Sequence, residues 1–299
     1  MKNRLLFLFL LLQISLFAQY PESQYLDIEG INIHYCQWKP TIPSKGQILL
    51  VHGFCGSTFT WRKNVSAFVA AGYEVSAIDL PPFGYSEKKR HLNHSTSFNA
   101  ALAWKIAQKI GDSTQKWTLI GHSMGGDICK FMFFLQPQQV KNILFVDPAF
   151  SVFYQPSWLR RTLFGSAATY HLGENMGKYY FFKYKRIKKI LSMAYSQAAD
   201  SAAIAGYLHN LNQKGLAGGI MEMSASGHVY NFDNEVITVP CLQIWGNKDR
   251  IISVTETKPF LKFLPKDTPV EFIEGGGHCP METHSAIFND LVLSFLKQF

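Results

Sequence analysis

Six short apolar runs recur along the chain, each followed within two residues by a glycine or an aspartate. They are QILLV at 47–51, EVSAI at 74–78, WTLI at 117–120, NILFV at 142–146, CLQIW at 241–245 and VEFI at 270–273. Near-continuous apolar strands, rather than alternating ones, are expected in a parallel sheet covered on both faces. The stretches between them carry helical periodicity, at about 63–71, 98–110, 124–135, 255–264 and 284–299. Strand–helix alternation predicts an α/β fold with a mostly parallel, doubly wound sheet and right-handed crossovers. Two further strands, about 24–29 and 32–38, are expected to form an antiparallel hairpin turning at Gly30.

One stretch breaks the rhythm. Residues 151–230 contain no good strand and several helical patterns, with nine Lys or Arg against three Asp or Glu. Such a shift marks an insertion between two core strands. Ligands bind at the carboxyl ends of strands in sheets of this kind, so an insertion leaving from there would lie over the site as a helical cap. The expected division is a core of 19–150 and 231–299 with a cap of 151–230. The first 18 residues read differently again: Lys2 and Arg4 precede an apolar run at 5–17, and Ala18 precedes Gln19. That run is shorter than the roughly 20 residues a membrane-spanning helix needs, and the pattern is that of a signal peptide, giving an exported chain, periplasmic or secreted.

Composition narrows the field further. The 47% hydrophobic content excludes a disordered chain, and five cysteines in 299 residues exclude a small disulfide scaffold. The odd cysteine count favours buried free thiols. No CxxC pair or His-rich tract is present, so no metal is expected. The net charge of +8 is concentrated in the insertion, which argues against nucleic acid as a partner. The aromatic run at 179–182 followed by Lys183, Lys185, Arg186, Lys188 and Lys189 suits weak contact with a membrane surface, or simply a solvated basic helix face. Oligomeric state is not legible.

The chemistry lies in three loops. Gly121-His122-Ser123-Met124-Gly125 fits G-x-S-x-G between a strand and a helix, the context in which a strained turn presents a nucleophilic serine. The hydroxyl needs a base. His278, after the glycines at 275–277 and the last strand, has the right place in the chain, with His284 as fallback. The acid that orients it is Asp249, just past CLQIW, with Asp147, just past NILFV, in competition. His52 and His122 read as structural. An oxyanion hole would take one backbone N–H from Met124 and one from Phe54, where Gly53 allows close approach.

These residues resemble the α/β-hydrolase family over nearly all of the chain beyond the signal peptide. The resemblance is carried by HGF at 52–54 with Trp61 beyond, DLPPFGYS at 79–86, GHSMGG at 121–126, VPCLQIWGNKD at 239–249 and GGGHCPMETHSAIFNDLVLSFL at 275–296. It implies Ser123, Asp249 and His278 as a triad, Phe54 and Met124 as oxyanion donors, and no cofactor. Pro82 stands where the family usually has glycine, and His284 where proline is common. Epoxide hydrolases and dehalogenases of the family carry aspartate at the elbow; Ser123 implies an acyl-enzyme and hydrolysis of a carboxylic ester on a small acyl substrate. The same triad serves aminopeptidases, thioesterases, lactonases, carbon–carbon bond hydrolases and surface-acting lipases. A non-catalytic binding protein would be marked by a missing triad member, and none is missing.

Overall fold

The computed structural model describes residues 22–149, 157–226 and 235–299. The expected signal peptide lies outside the described residues. Eight strands among those described form one sheet: β1 (Ser23–Ile28), β2 (Ile31–Trp38), β3 (Gln47–Val51), β4 (Glu74–Ile78), β5 (Trp117–His122), β6 (Val140–Val146), β7 (Cys241–Gly246) and β8 (Val270–Ile273). Their order is β1-β2-β4-β3-β5-β6-β7-β8. The β1–β2 and β2–β4 pairs are antiparallel, and every later pair is parallel. The hairpin turns through Glu29 and Gly30, both at positive φ (56° and 79°), as a tight two-residue hairpin turn requires.

The central strands behave as their composition dictates. Ile48 and Leu50 of β3 face one apolar layer, whereas Leu49 and Val51 face the other. The first layer is completed by α1 (Val65–Ala70) and α10 (Ser285–Leu296), the second by α2 (Thr96–Ile110) and α3 (Met124–Leu135). Trp104 on α2 donates its indole N–H to the Met132 carbonyl on α3 at 2.7 Å, tying these helices together.

Two expected helices differ in detail. The stretch at 255–264 forms a succession of tight 3-10 turns, Val254–Phe263. The last expected helix forms as α10, with an added short helix, α9 (Pro280–Thr283), ahead of it and His284 between the two.

Among the described residues, five α-helices and a π-helical turn (Gly177–Phe181) occupy the stretch between β6 and β7: α4 (Trp158–Phe164), α5 (Ala167–Met176), α6 (Tyr184–Ala194), α7 (Ser201–Leu211) and α8 (Leu216–Met223). They rest on loops at the carboxyl ends of the strands. Asn210 Nδ2 donates to Ser57 Oγ at 2.7 Å, and Phe59 meets Tyr207 edge-on at 5.8 Å. The Ala194 carbonyl accepts the His278 N–H at 2.6 Å. A buried polar knot fastens them: Glu282 Oε1 accepts from Tyr207 at 2.6 Å, and its Oε2 accepts from Tyr195 at 2.7 Å and from the Arg62 guanidinium. Among the described residues, no helix is long and apolar enough to cross a membrane.

Candidate active site

Strand order itself locates a crevice. The connection from β3 runs to β4 on one side, and the next crossover jumps over β3 to β5, so the loops leaving β3 and β5 diverge. Ligand sites lie at such switch points. Residues 52–56 and Ser123 occupy this one.

Ser123 sits between the end of β5 and the first residue of α3 at φ 50°, ψ −121°, a conformation that costs a non-glycine residue strain. The surrounding packing leaves no alternative. A Cβ on Gly125 would stand 2.2 Å from the Val51 carbonyl oxygen, and one on Gly121 would stand 2.3 Å from the Gly125 carbonyl oxygen. The two glycines therefore let α3 start directly against β3. The Ser123 N–H donates to the Val146 carbonyl at 2.9 Å and its carbonyl accepts from Gly126 at 2.8 Å, which pins the turn from both sides. Gly53 approaches the same point: a Cβ there would lie 2.9 Å from Ser123 Cβ.

Asp249 and His278 meet directly. His278 Nδ1–H donates to Asp249 Oδ2 at 2.7 Å, leaving Nε2 to exchange protons. Asp249 Oδ1 also accepts the N–H groups of Ile251 (2.7 Å) and Ile252 (3.1 Å). Burial works to raise the Asp249 pKa, but the His278 hydrogen bond and charge and these two N–H groups outweigh it, so it lies below the ordinary carboxyl value. His278 is itself held at its backbone, by its N–H to Ala194 and by its carbonyl, which accepts His122 Nε2–H at 2.8 Å. His122 thus ties the loop of His278 to the residue preceding Ser123, with the two imidazole centroids 4.9 Å apart. Among the described residues Ser123 Oγ makes no hydrogen bond; such contacts commonly tighten only with substrate in place.

Asp147 follows the end of β6 at φ 40° and is fully buried. Its Oδ1 accepts the Gly246 N–H at 2.9 Å, so it stitches the ends of β6 and β7, and its Oδ2 has no partner. Burial and the Asp249 charge raise its pKa well above the carboxyl norm. The fold therefore favours the uncharged form of Asp147 and the charged form of Asp249. Asp147, Asp249 and His278 offer ligand atoms within 4.8 Å of one another, but His278 Nδ1 is already spent on Asp249 and Asp147 favours its uncharged form, a poor donor set for a cation.

The expected oxyanion donors lie on either side of the crevice. Met124 N–H is the first of α3, where helical N–H groups lack intrahelical acceptors. The peptide carrying Phe54 N–H is fixed through its other end. The Gly53 carbonyl accepts from Gly56 N–H at 3.0 Å and from His52 Nδ1–H at 2.8 Å, and His52 Nε2 accepts Leu80 N–H at 3.0 Å. A planar trans peptide points its N–H opposite its carbonyl, so His52 aims Phe54 N–H. Among the described residues neither Phe54 nor Met124 N–H makes a turn, loop or cap hydrogen bond. Burial lowers the His52 pKa, and burial together with the His278 charge pushes His122 down to about 3, so the fold favours the neutral form of both rings.

Two polar clusters went unrecognised in the sequence, one centred on the His34–Asp79 pair and one on Glu282. His34 Nδ1–H donates to Asp79 Oδ2 at 2.7 Å, and Asp79 also accepts Thr58 N–H (2.6 Å) and Tyr85 N–H (2.8 Å), welding the loops after β3 and β4. Both clusters rest on contacts between distant segments. His284 is engaged by Thr283 Oγ1 at 2.9 Å, and Asp249 meets the other ring, His278. All five cysteines are free thiols.

The model of the alpha/beta hydrolase fold matches residues 46–285, and the chain belongs to that family of hydrolases. It is 25% identical over 278 residues to an uncharacterized hydrolase, YugF, of Bacillus subtilis, covering 90% of this chain and 96% of that one. It is 24% identical to epoxide hydrolase 4 of Mus musculus, covering 90% and 77%. Among solved structures, a membrane phospholipase A described as a bacterial virulence factor shares the fold at a TM-score of 0.70 with 21% identity, covering 100% and 99%.

Proposed function

We propose that the chain hydrolyses carboxylic esters through an acyl-serine intermediate, with Ser123 as nucleophile, His278 as base and Asp249 as its orienting acid. The observation that carries this reading is the 2.7 Å hydrogen bond between His278 and Asp249, tied through His122 to the strained turn bearing Ser123. His278 Nε2 takes the Ser123 proton as Oγ attacks the ester carbonyl. The developing oxyanion takes hydrogen bonds from Phe54 and Met124 N–H. Collapse expels the alcohol, which leaves with the proton held by His278. Water, deprotonated by the same nitrogen, then attacks the acyl-serine, and collapse returns the proton to Ser123 and releases the acid. Serine in place of aspartate at 123 separates this chemistry from that of an epoxide hydrolase, whose alkyl-enzyme ester requires a carboxylate nucleophile. The helices α4 to α8 serve in this reading as the cap, and residues 1–18 as a signal peptide removed on export, so that intact-mass analysis of exported protein finds a chain beginning near Gln19.

A fluorophosphonate probe tests the mechanism. It labels the unmodified chain at Ser123 and leaves Ser123→Ala unlabelled, with hydrolysis of p-nitrophenyl esters falling by several orders of magnitude in that variant. An unmodified chain that resists the probe, or a variant that turns over normally, overturns the reading. A series of p-nitrophenyl esters of increasing chain length, with peptide amides alongside, defines the preferred bond.

A further inference from the structure

The surface between residues 158 and 193 departs from an ordinary solvated one. Of the 21 exposed large apolar side chains among the described residues, ten fall in this stretch. It also holds eight Lys or Arg and a single acid, Glu174. That acid is engaged locally, its carboxylate accepting Gly215 and Gly218 N–H at 2.9 and 2.7 Å. Isolated exposed apolar residues are normal; a consecutive run of aromatics is not. Tyr179, Tyr180 and Phe181 are 58%, 61% and 45% exposed. Lys178 stands 5.3 Å over the Tyr179 ring and Arg186 5.7 Å over Phe181, so cations and rings form one surface.

Helix α6 shows that this surface is not needed for folding. Its inward stripe, Ile187, Leu191 and Ala194, is buried. Its outward side carries Lys185, Lys188 and Lys189 together with Ile190 and Met193, which remain 48% and 46% exposed. Among the described residues, Lys183, Lys185, Lys188 and Lys189 make no ion pair. A face built only for solvation would carry the charges without the rings. Tyrosines interleaved with lysines match the headgroup zone of a bilayer, where a ring buries its body and keeps its hydroxyl wet. A second copy is the poorer occupant, because it would present the same concentrated positive charge.

We propose that this face, centred on Tyr179, Tyr180, Phe181 and α6, docks on an anionic lipid bilayer. Position gives the docking a consequence. Helix α6 spans 11 residues, about 16 Å, and its last carbonyl accepts the His278 N–H. A bilayer against α6 lies within about that distance of the loop bearing His278, so the ester would be drawn from the lipid phase; this last step rests on the acyl-hydrolase reading, and the docking does not.

The test uses the full chain carrying Ser123→Ala, so that binding is read without chemistry. Sedimentation is measured with vesicles of phosphatidylcholine alone and of phosphatidylcholine mixed with phosphatidylglycerol, at low and high salt. Binding is expected to the anionic vesicles only and to weaken with salt. Replacing Lys183, Lys185, Arg186, Lys188 and Lys189 by Gln is expected to lower affinity by up to about 3,000-fold, since each surface cation contributes about fivefold. Tyr179→Ser with Tyr180→Ser lowers it further, while the short-ester rate in the Ser123 background stays unchanged. Equal binding of the five-Gln variant and its parent, or a parent that ignores anionic vesicles, overturns the proposal. So does a dimer in sedimentation velocity that the five-Gln variant dissolves. A chain that binds vesicles yet resists the fluorophosphonate refutes the chemistry alone; one that is labelled but stays in solution refutes the docking alone.

Discussion

Replacing Asp249 and Asp147, one at a time, by asparagine separates two carboxyl groups that end neighbouring strands. In Asp249→Asn the amide either turns its NH2 toward His278 Nδ1, which then must be an acceptor, or keeps its oxygen there without a charge. The first choice moves the imidazole proton to Nε2, where it blocks proton uptake from Ser123; the second leaves the imidazolium uncompensated. A loss of up to about 10⁴-fold in kcat/KM follows, or about 5.4 kcal/mol at 1.36 kcal/mol per decade. Asp147→Asn is expected to change kcat/KM less than about tenfold, because the fold already favours the uncharged form of Asp147 and its hydrogen bond from Gly246 N–H is kept by the Asn oxygen. The same substitution is expected to stabilise the fold at neutral pH. A carboxyl whose folded pKa is raised loses its stabilising contribution as pH climbs from the unfolded value toward the folded one, by about 1.4 kcal/mol per unit, and asparagine has no such loss. The gain must vanish as pH approaches about 4, where the unfolded carboxyl is protonated too. Ester kinetics and urea titrations at two pH values supply both readouts. A severe Asp147→Asn beside a mild Asp249→Asn would move the orienting role to the end of β6, and a pH-independent stability change would remove the neutral-acid assignment.

Three further outcomes are expected. Glu282→Gln should destabilise by about 3–5 kcal/mol, because it leaves the largely buried Arg62 guanidinium uncompensated and sets an NH2 donor against tyrosine hydroxyl donors; a urea midpoint giving less than about 1 kcal/mol would show that the knot is solvated. Gly125→Ala should cost about 3 kcal/mol or more, since its Cβ meets the Val51 carbonyl at 2.2 Å and only separation of α3 from β3 relieves it; a soluble variant with unchanged melting temperature contradicts that packing. Stability should fall on acidification below about pH 6.5, where the unfolded chain protonates histidines that the fold keeps neutral: His52, His94 (about 4) and His122 (about 3). These three rings, and half-buried His209, whose pKa burial also lowers, bind protons more readily in the unfolded chain, whereas Asp147 does so in the fold, so the histidines set the sign and stability falls as pH drops from about 6 toward 5. A melting temperature that is flat across that interval would show that these rings are hydrated.

The strands were legible because β3 to β7 are almost wholly buried and carry few polar residues; β8 departs from this as the edge strand, with Val270 and Phe272 exposed. The serine turn was legible for a steric reason: where α3 starts against β3, neither Gly121 nor Gly125 has room for a Cβ. The choice between the two acids was legible only in part. Residues 146 and 244 are register partners in adjacent parallel strands, so Asp147 and Asp249 both emerge at the same edge, and chain order alone does not say which carboxyl keeps its charge. The Arg62–Glu282 contact lies beyond the reach of local pattern altogether, being 220 residues apart in sequence. The insertion was visible as a change of composition, but not its arrangement, because its anchoring residues Tyr195, Tyr207 and Asn210 look like ordinary helix residues until their partners in the core are known. Residues 254–263 do coil as their helical spacing suggests, but as the tighter 3-10 kind.

Three imidazoles converge on the serine turn, and their hydrogen bonds divide the work. A general base needs one ring nitrogen free of other bonds. His52 has none: Nε2 receives Leu80 N–H and Nδ1 donates to the Gly53 carbonyl. His122 has Nε2 committed to the His278 carbonyl, and its burial opposes any positive charge, so accepting a proton would cost it most of its affinity. His278 alone of the three has a carboxylate on Nδ1 to stabilise the imidazolium while Nε2 stays open. The two neutral rings serve it by position: His122 holds the His278 backbone next to Ser123, and His52 turns the peptide that would meet the oxyanion. Their neutrality matters electrostatically as well. A second positive ring some 5 Å from His278 would oppose the charge that the proposed proton transfer creates there, so burying His122 as a neutral donor removes a competitor for the stabilisation that Asp249 supplies.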